Sequence, residues 1–188
     1  VKMWYFDVAS IWNVNVSAQD TSGGIAPSKN VTINYQEFKS FIMSPRSIAW
    51  GSLAIGQTNS TPTTGAIKLN NTWNRNVTRN NVNVTGYDIP GLTDATIKIG
   101  VNNFTALNQT GGTPNLECLK TSGSTLTNNT AVNLTYAILM PGNNSAAGAR
   151  GNQSLYFCLT NVPAGAGITQ QVYSTNQSSI LGWVISIF

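Results

Sequence analysis

Turn chemistry interrupts this chain so often that a long helix has no room in it. The stretches "TSGGIAPS", "GQTNSTPTTG", "YDIPG", "QTGGTPN", "MPGNN" and "VPAGAG" recur along its length. Gly, Pro, Asn and Ser at that density supply left-handed φ angles, fix φ or fold the backbone back on itself. Between them lie short runs rich in β-branched and aromatic residues, at 31–43, 47–55, 65–70, 76–86, 96–101, 115–120, 132–139, 154–160 and 180–188. Such runs predict strands, and about nine of them at even spacing predict an all-β chain folded as an antiparallel β-sandwich. "NYQEFKSFIM" is the one place where a short helical turn competes with that reading. A length of 188 residues suits one such domain, or one domain with an extension.

The opening stretch does not fit inside a single short strand. From Lys2 to Ser17 the even positions Trp4, Phe6, Val8, Trp12, Val14 and Val16 are apolar, with Ser10 the one break. At about 3.3 Å per residue that stretch would reach roughly 50 Å, several times a usual strand. No Gly, Pro, Asn-Gly or Asp-Gly stands near Ala9–Ser10 to make a hairpin. Either a turn is hidden there or half of the strand pairs with something else. An ordinary long first strand of the sandwich is the plain alternative. At the other end, Leu181, Trp183, Ile185 and Ile187 alternate with Gly182, Val184, Ser186 and Phe188, so both faces are largely apolar, as in a strand buried in a sandwich or beside a partner.

Composition limits the chemistry. Charged residues make up 9% of the chain and histidine is absent. The ten Lys and Arg are scattered rather than clustered, so no nucleic-acid footprint is expected. Serines are plentiful, but no histidine exists to activate one and no S-x-x-K is present, which argues against an enzyme. Of the six carboxylates, Asp88 and Asp94 are close enough in sequence to share a calcium ion or merely to cap turns; no metal or other cofactor is expected. Protonating all six would raise the net charge only from +4 to +10, compatible with an acid-tolerant exterior.

The pattern N-x-[S/T] occurs thirteen times, at Asn15, Asn30, Asn59, Asn70, Asn76, Asn83, Asn103, Asn108, Asn128, Asn133, Asn143, Asn152 and Asn176. Composition alone would give about five, so N-linked glycans on a secreted protein are expected, first in the loops around Asn59, Asn108, Asn143 and Asn152. Cys118 and Cys158 form an even pair, which in a secreted chain predicts a disulfide; two reduced core cysteines are the alternative. No stretch reaches eighteen apolar residues, so no membrane-spanning helix is expected. The chain opens without a charged n-region or apolar h-region, which leads us to expect that a signal peptide has been cleaved.

Residues 48–91, "IAWGSLAIGQTNSTPTTGAIKLNNTWNRNVTRNNVNVTGYDIPG", carry a "WGSL..G" turn followed by "I.L.NT.N" and "NVTG" strands. Residues 154–188 run from "SLYFCLTNVPAGAG" to a last apolar strand. In these motifs the chain resembles the immunoglobulin-like filament subunits of archaeal surfaces, the threads of thermoacidophiles and the bundling pili, themselves similar to TasA-type biofilm fibres. The resemblance covers about 80 residues and implies an immunoglobulin-like sandwich over 11–188 behind an amino-terminal tail over 1–10. It also implies donor-strand complementation. Trp4, Phe6 and Val8 would enter a neighbour's groove while Trp12, Val14 and Val16 begin the subunit's own sheet, so the partners would be identical subunits in a linear or helical homopolymer at the cell surface. Adhesion or biofilm cohesion is the role such a filament would have. The competing classes are a secreted carbohydrate-binding module, in which Trp50, Trp73 or Trp183 would stack on sugar instead of packing in a core, and an S-layer or adhesin domain.

Overall fold

A computed structural model describes residues 3–4, 7–108, 118, 123–141, 151–165, 167–175 and 182–188. Among them are fifteen strands: β1 (Ser10–Val16), β2 (Lys29–Tyr35), β3 (Phe41–Ser44), β4 (Ala49–Trp50), β5 (Thr58–Ser60), β6 (Ile67–Asn71), β7 (Val82–Thr85), β8 (Ile89–Pro90), β9 (Lys98–Ile99), β10 (Phe104–Asn108), β11 (Ser124–Thr125), β12 (Ala131–Asn133), β13 (Asn152–Asn161), β14 (Tyr173–Ser174) and β15 (Val184–Ile187). Two 3₁₀ turns, at Val101–Asn103 and Ile168–Gln170, complete the regular structure. The described residues contain no α-helix, and every strand ladder is antiparallel. The all-β expectation holds.

The longest strand, β13, organises the larger sheet. Gln153, Leu155, Phe157 and Leu159 alternate inward and are buried. One edge of β13 pairs with β10; the other pairs first with β6 and then with β5. Strands β11 and β3 close the two ends, giving the order β11-β10-β13-β6-β3. The second sheet is β12-β7-β15, in which Val82 and Val84 of β7 point inward beside Ile187 and Ile185 of β15. The pairs β4/β14 and β8/β9 are two-stranded.

Between the sheets lies an aromatic cluster. The ring centroids of Trp50 and Phe104 are 4.8 Å apart, and Trp183 stands edge-on to Phe104 at 5.2 Å and tilted to Phe157 at 5.7 Å. Tilted and edge-to-face pairs of this kind add about 0.5–1.5 kcal/mol beyond the area they bury. The Trp50 and Trp183 indoles donate to the carbonyls of Ser60 and Tyr87. Trp50, Trp73 and Trp183 are thus packing residues, Trp183 only half-buried. Asn71 and Asn74 are the only buried asparagines described, and both work as backbone staples. The Asn71 amide reaches the carbonyls of Arg75, Leu139 and Met140, and that of Asn74 reaches Gln36.

The expected disulfide is present, joining Cys118 to Cys158 on β13 with Cα atoms 5.0 Å apart. The strand expected over 115–120 otherwise lies outside the described residues. Several strand boundaries differ from expectation. The single run 31–43 divides into β2 and β3, which belong to different sheets, because Gln36–Ser40 leaves the ladder where Asn74 takes over its backbone groups. The runs 47–55 and 76–86 shrink to β4 and β7; outside them Val77 and Gly86 make only isolated bridges, to Leu139 and Asn128. β10, with Phe104 and Ala106 in the core, was not expected at all.

Trp12, Val14 and Val16 form a strand of their own chain, but not of the sandwich. They lie on β1, which pairs over seven residues with β2 in a separate two-stranded arm. The "TSGG" signal makes its tip: the Asp20 carboxylate accepts from the backbone of Ser22 and Gly24, and Gly23 takes φ +87°. The arm meets the sandwich at its root, through the Asn74 contacts and a surface ion pair between Arg75 and Glu37.

Candidate strand-acceptor groove

Among the described residues, each large sheet has two terminal strands with a ladder partner on one side only, and one from each sheet borders the same opening. In the first sheet this is β3, whose apolar Phe41 and Met43 stand beside Asn71 and Leu69 of β6 and face inward. In the second it is β15, with Ile185 and Ile187 inward. An unpaired edge exposes a row of backbone N–H and C=O groups ready to bind another strand. Five of the seven half-buried apolar residues packed on the core, Phe41, Met43, Trp183, Ile185 and Ile187, come from these two edges and the residue before β15. Among the described residues, the core is therefore open along one side.

Two cavities lie along that opening. The larger, about 320 Å³, is lined by Lys39, Ser40, Phe41, Asn71, Trp73 and Ile187. The other is a narrow slit bounded by Met43 and Ile185, with Ile48, Ile67, Val84, Phe157 and Trp183 as its floor and Arg46 and Thr175 at its sides. From the first to the second, the lining moves from Phe41 to Met43 on β3 and from Ile187 to Ile185 on β15. That is two residues along each strand, a step of about 6.6 Å, the pitch of alternate side chains on an extended chain. Trp73 is 5% exposed and its indole N–H has no hydrogen-bond partner, an unusual state for a buried donor and one that falls at the wall of the larger cavity. The Lys39 ammonium lies 5.2 Å over the same ring.

The tail residues stand as follows. The Asp7 backbone N–H donates to the Trp4 carbonyl at 2.9 Å, and the Asp7 carboxylate accepts from the Trp4 N–H at 2.7 Å. The Trp4 carbonyl also accepts from the Tyr35 hydroxyl, which ties the tail to the arm. Val8 is exposed. Phe6 lies outside the described residues. The sequence missed the groove itself: alternation marks Phe41, Met43, Ile185 and Ile187 as one-face apolar, but nothing in it says which strands are edges.

None of the eleven described sequon asparagines is buried. Asn15, Asn30, Asn59, Asn76, Asn128 and Asn152 are exposed, and Asn70, Asn83, Asn103, Asn108 and Asn133 are half-buried; Asn143 and Asn176 lie outside the described residues. Asn59, Asn108 and Asn152, expected in loops, are strand residues on β5, β10 and β13. Of the other described sequons, Asn70, Asn83 and Asn133 lie on β6, β7 and β12, Asn15 and Asn30 on the arm, and Asn76, Asn103 and Asn128 outside the strands; β3 and β15 carry none. Among described residues, the two strands bounding the groove are thus left free of bulky attachments.

Asp88 and Asp94 do not act together. The Asp88 carboxylate accepts from the Val101 N–H across the base of the β8/β9 pair, and that of Asp94 from the hydroxyl and N–H of Thr96, closing a turn. The Thr96 hydroxyl, then its backbone N–H, hold the Asp94 carboxyl below its usual range. No cluster of three or more His, Cys, Asp or Glu occurs among the described residues. No helix among them is long and apolar enough to cross a membrane.

The fold and groove define a class: an all-β domain with an apolar channel between two open sheet edges. Comparison with family models, with curated proteins and with solved structures returned no match for this chain.

Proposed function

We propose that this protein is the structural subunit of an extracellular, N-glycosylated surface filament, assembled head to tail by donor-strand complementation and serving adhesion or biofilm cohesion. The observation that carries the reading is the groove between β3 and β15, whose two cavities repeat at the pitch of alternate side chains. The amino-terminal segment supplies matching side chains. Trp4 suits the larger cavity beside Ile187, and Phe6, two residues on once the Trp4–Asp7 turn opens into an extended strand, would lie over the slit beside Ile185, which at about 20 Å³ must widen to take its ring, so the donor runs antiparallel to β15. Val8 then follows toward Trp183.

Magnitudes agree with this assignment. Burying Trp4, Phe6 and Val8 would contribute about 4.5–9 kcal/mol at about 1.5–3 kcal/mol per side chain, and the ladder would satisfy both open edges. Association costs on the order of 4–15 kcal/mol, so a further contact must join the donor strand. Because donor and acceptor are different surfaces of one chain, the contact does not close and instead propagates. The disulfide suits an oxidising, extracellular setting.

The test is assembly of the full chain carrying Trp4→Asp and Phe6→Asp. Folded monomers that no longer polymerise are expected, whereas Met3→Asp with Tyr5→Asp, on the opposite face, should weaken assembly far less. Filaments of normal appearance from the Trp4/Phe6 variant would refute the reading.

A further inference from the structure

We propose that the apolar face of the β1–β2 arm is a second contact surface for the neighbouring copy of this chain, the copy whose groove receives the arm's own amino-terminal strand. The inference rests on the filament reading above.

Register gives the arm two unlike faces. Trp12, Val14 and Val16 stand opposite Ile33, Val31 and Lys29; on the reverse, Ile11, Asn13 and Asn15 stand opposite Asn34, Thr32 and Asn30, so that face is polar but for Ile11. The apolar face is partly open: Trp12 is 41% exposed, Ile33 37%, and Val16 and Val31 57% each, while Val14 is half-buried. The Trp12 indole donates to the Val8 carbonyl, and Met3 and Asp7 of the tail line a cavity of about 240 Å³ with Trp12, Val14 and Ile33, so that withdrawing the tail into a neighbour's groove uncovers this face. A two-stranded hairpin is marginal in water unless its apolar face packs on something. A contiguous apolar patch rimmed by polar residues marks an interaction site. The reverse face carries two sequons, Asn15 and Asn30, paired directly across the ladder. Sugars there would point away from the apolar face and leave it as the contact side.

Chain continuity identifies the occupant. Ser10, the first residue of β1, follows Ala9 directly, so an arm whose residues 4–8 lie in a neighbour's groove begins within two residues of that neighbour. With Trp4 beside Ile187 and Phe6 beside Ile185, the arm leaves the groove at the end where the exposed Val184 stands. Area gives the same answer. Trp4 and Phe6 at about 200 Å² each, with a smaller share from Val8, bury about 500 Å². A stable interface needs about 800 Å² from each partner. The arm's face can supply the remainder. Its one charge, Lys29, sits at the end of the ladder, so the match is apolar rather than ionic.

The experiment uses the full chain. Val14→Thr, Val31→Thr and Ile33→Thr together keep β-branched residues in both strands while removing the centre of the apolar face and leaving Trp12 as the reporter. The critical concentration for polymerisation is read by sedimentation, and oxidation of Trp12 by hydroxyl-radical footprinting compares unmodified monomer with polymer. We expect the triple variant to raise the critical concentration about tenfold or more, a loss of the size given by one missing apolar contact, and Trp12 to become protected on assembly. An unchanged critical concentration, Trp12 equally oxidised in both states, or Trp12 already protected in the monomer would each overturn the proposal; footprinting needs no variant to fold. Normal polymers from the Trp4/Phe6 variant would instead sink the donor-strand reading, and arm dependence of those polymers would still support the arm contact.

Discussion

The sandwich and the arm are written in similar sequence and meet opposite fates. β7 and β1 both alternate valine with asparagine or threonine, yet Val82 and Val84 are wholly buried while Val16 and Val31 stand open to solvent. The difference is the second layer. β7 has a facing sheet and the aromatic cluster beneath it; the arm has two strands and, among the described residues, only the short tail beside them. Alternation therefore specifies that a face will be covered, and only topology specifies by what. The groove lies between these extremes, with Phe41, Met43, Ile185 and Ile187 half covered and awaiting another strand.

Substitutions in the two regions should differ most. Phe104→Ala removes a fully buried ring from contact with Trp50 and Trp183 and should cost about 3–5 kcal/mol in denaturant unfolding of the monomer. Val31→Ala in the arm should change the same measurement by no more than about 0.5 kcal/mol. Equal losses at both sites would mean that the arm's face is packed within the monomer, and the contrast would collapse.

Breaking the disulfide should sharpen the comparison, because the bridge anchors to β13 in the body. On the chain-entropy argument, closing a 40-residue separation stabilises the fold by about 4 kcal/mol, less any native strain. Cys118→Ser with Cys158→Ser should lower body stability by up to that amount. Footprinting of Trp12 should not change.

Glycan mapping separates exposed from engaged asparagines. Occupancy is expected at Asn15, Asn30, Asn59, Asn76, Asn128 and Asn152. It should be low at Asn133, whose amide donates to the Asn80 carbonyl at 2.6 Å, and at Asn103, whose amide donates to the Gly100 carbonyl. Glycopeptide mass spectrometry that found the reverse order would break the link between exposure and modification.

The smallest effect should be that of pH. The Asp94 carboxyl is held low by Thr96, so its contribution is present above the ordinary aspartate range and fades as pH falls through the lowered value. Burial holds the Tyr173 hydroxyl, which donates to the Ile168 carbonyl, above its ordinary range; its contribution is intact below about pH 10 and fades as pH rises through the raised value. Melting temperature should be nearly flat from about pH 5 to 9. A steep fall inside that window would require a titrating group that these two carry no account of.

The fold class was legible because turn residues and β-branched runs act locally. The disulfide was legible from cysteine parity. β10 was not, since the two bulky residues of "FTALN", Phe104 and Leu107, do not alternate and the run follows an Asn-Asn pair that reads as a turn. Neither was the order β10-β13-β6, which joins strands far apart in the chain by pairings that no local pattern encodes. The groove was illegible for the same reason: it consists of edges, and an edge is a property of the whole sheet. The tail was conspicuous because its apolar alternation ran on past any length one domain could use.

The most direct test is a side-chain-resolution structure of the native polymer by electron cryomicroscopy. Our account predicts Trp4 and Phe6 of each subunit between β3 and β15 of the next, Trp4 against Phe41 and Ile187 and Phe6 against Met43 and Ile185, in a strand antiparallel to β15. A polymer whose subunits keep residues 4–8 against their own strands, or whose β3–β15 groove is empty or filled by another part of the chain, would contradict it.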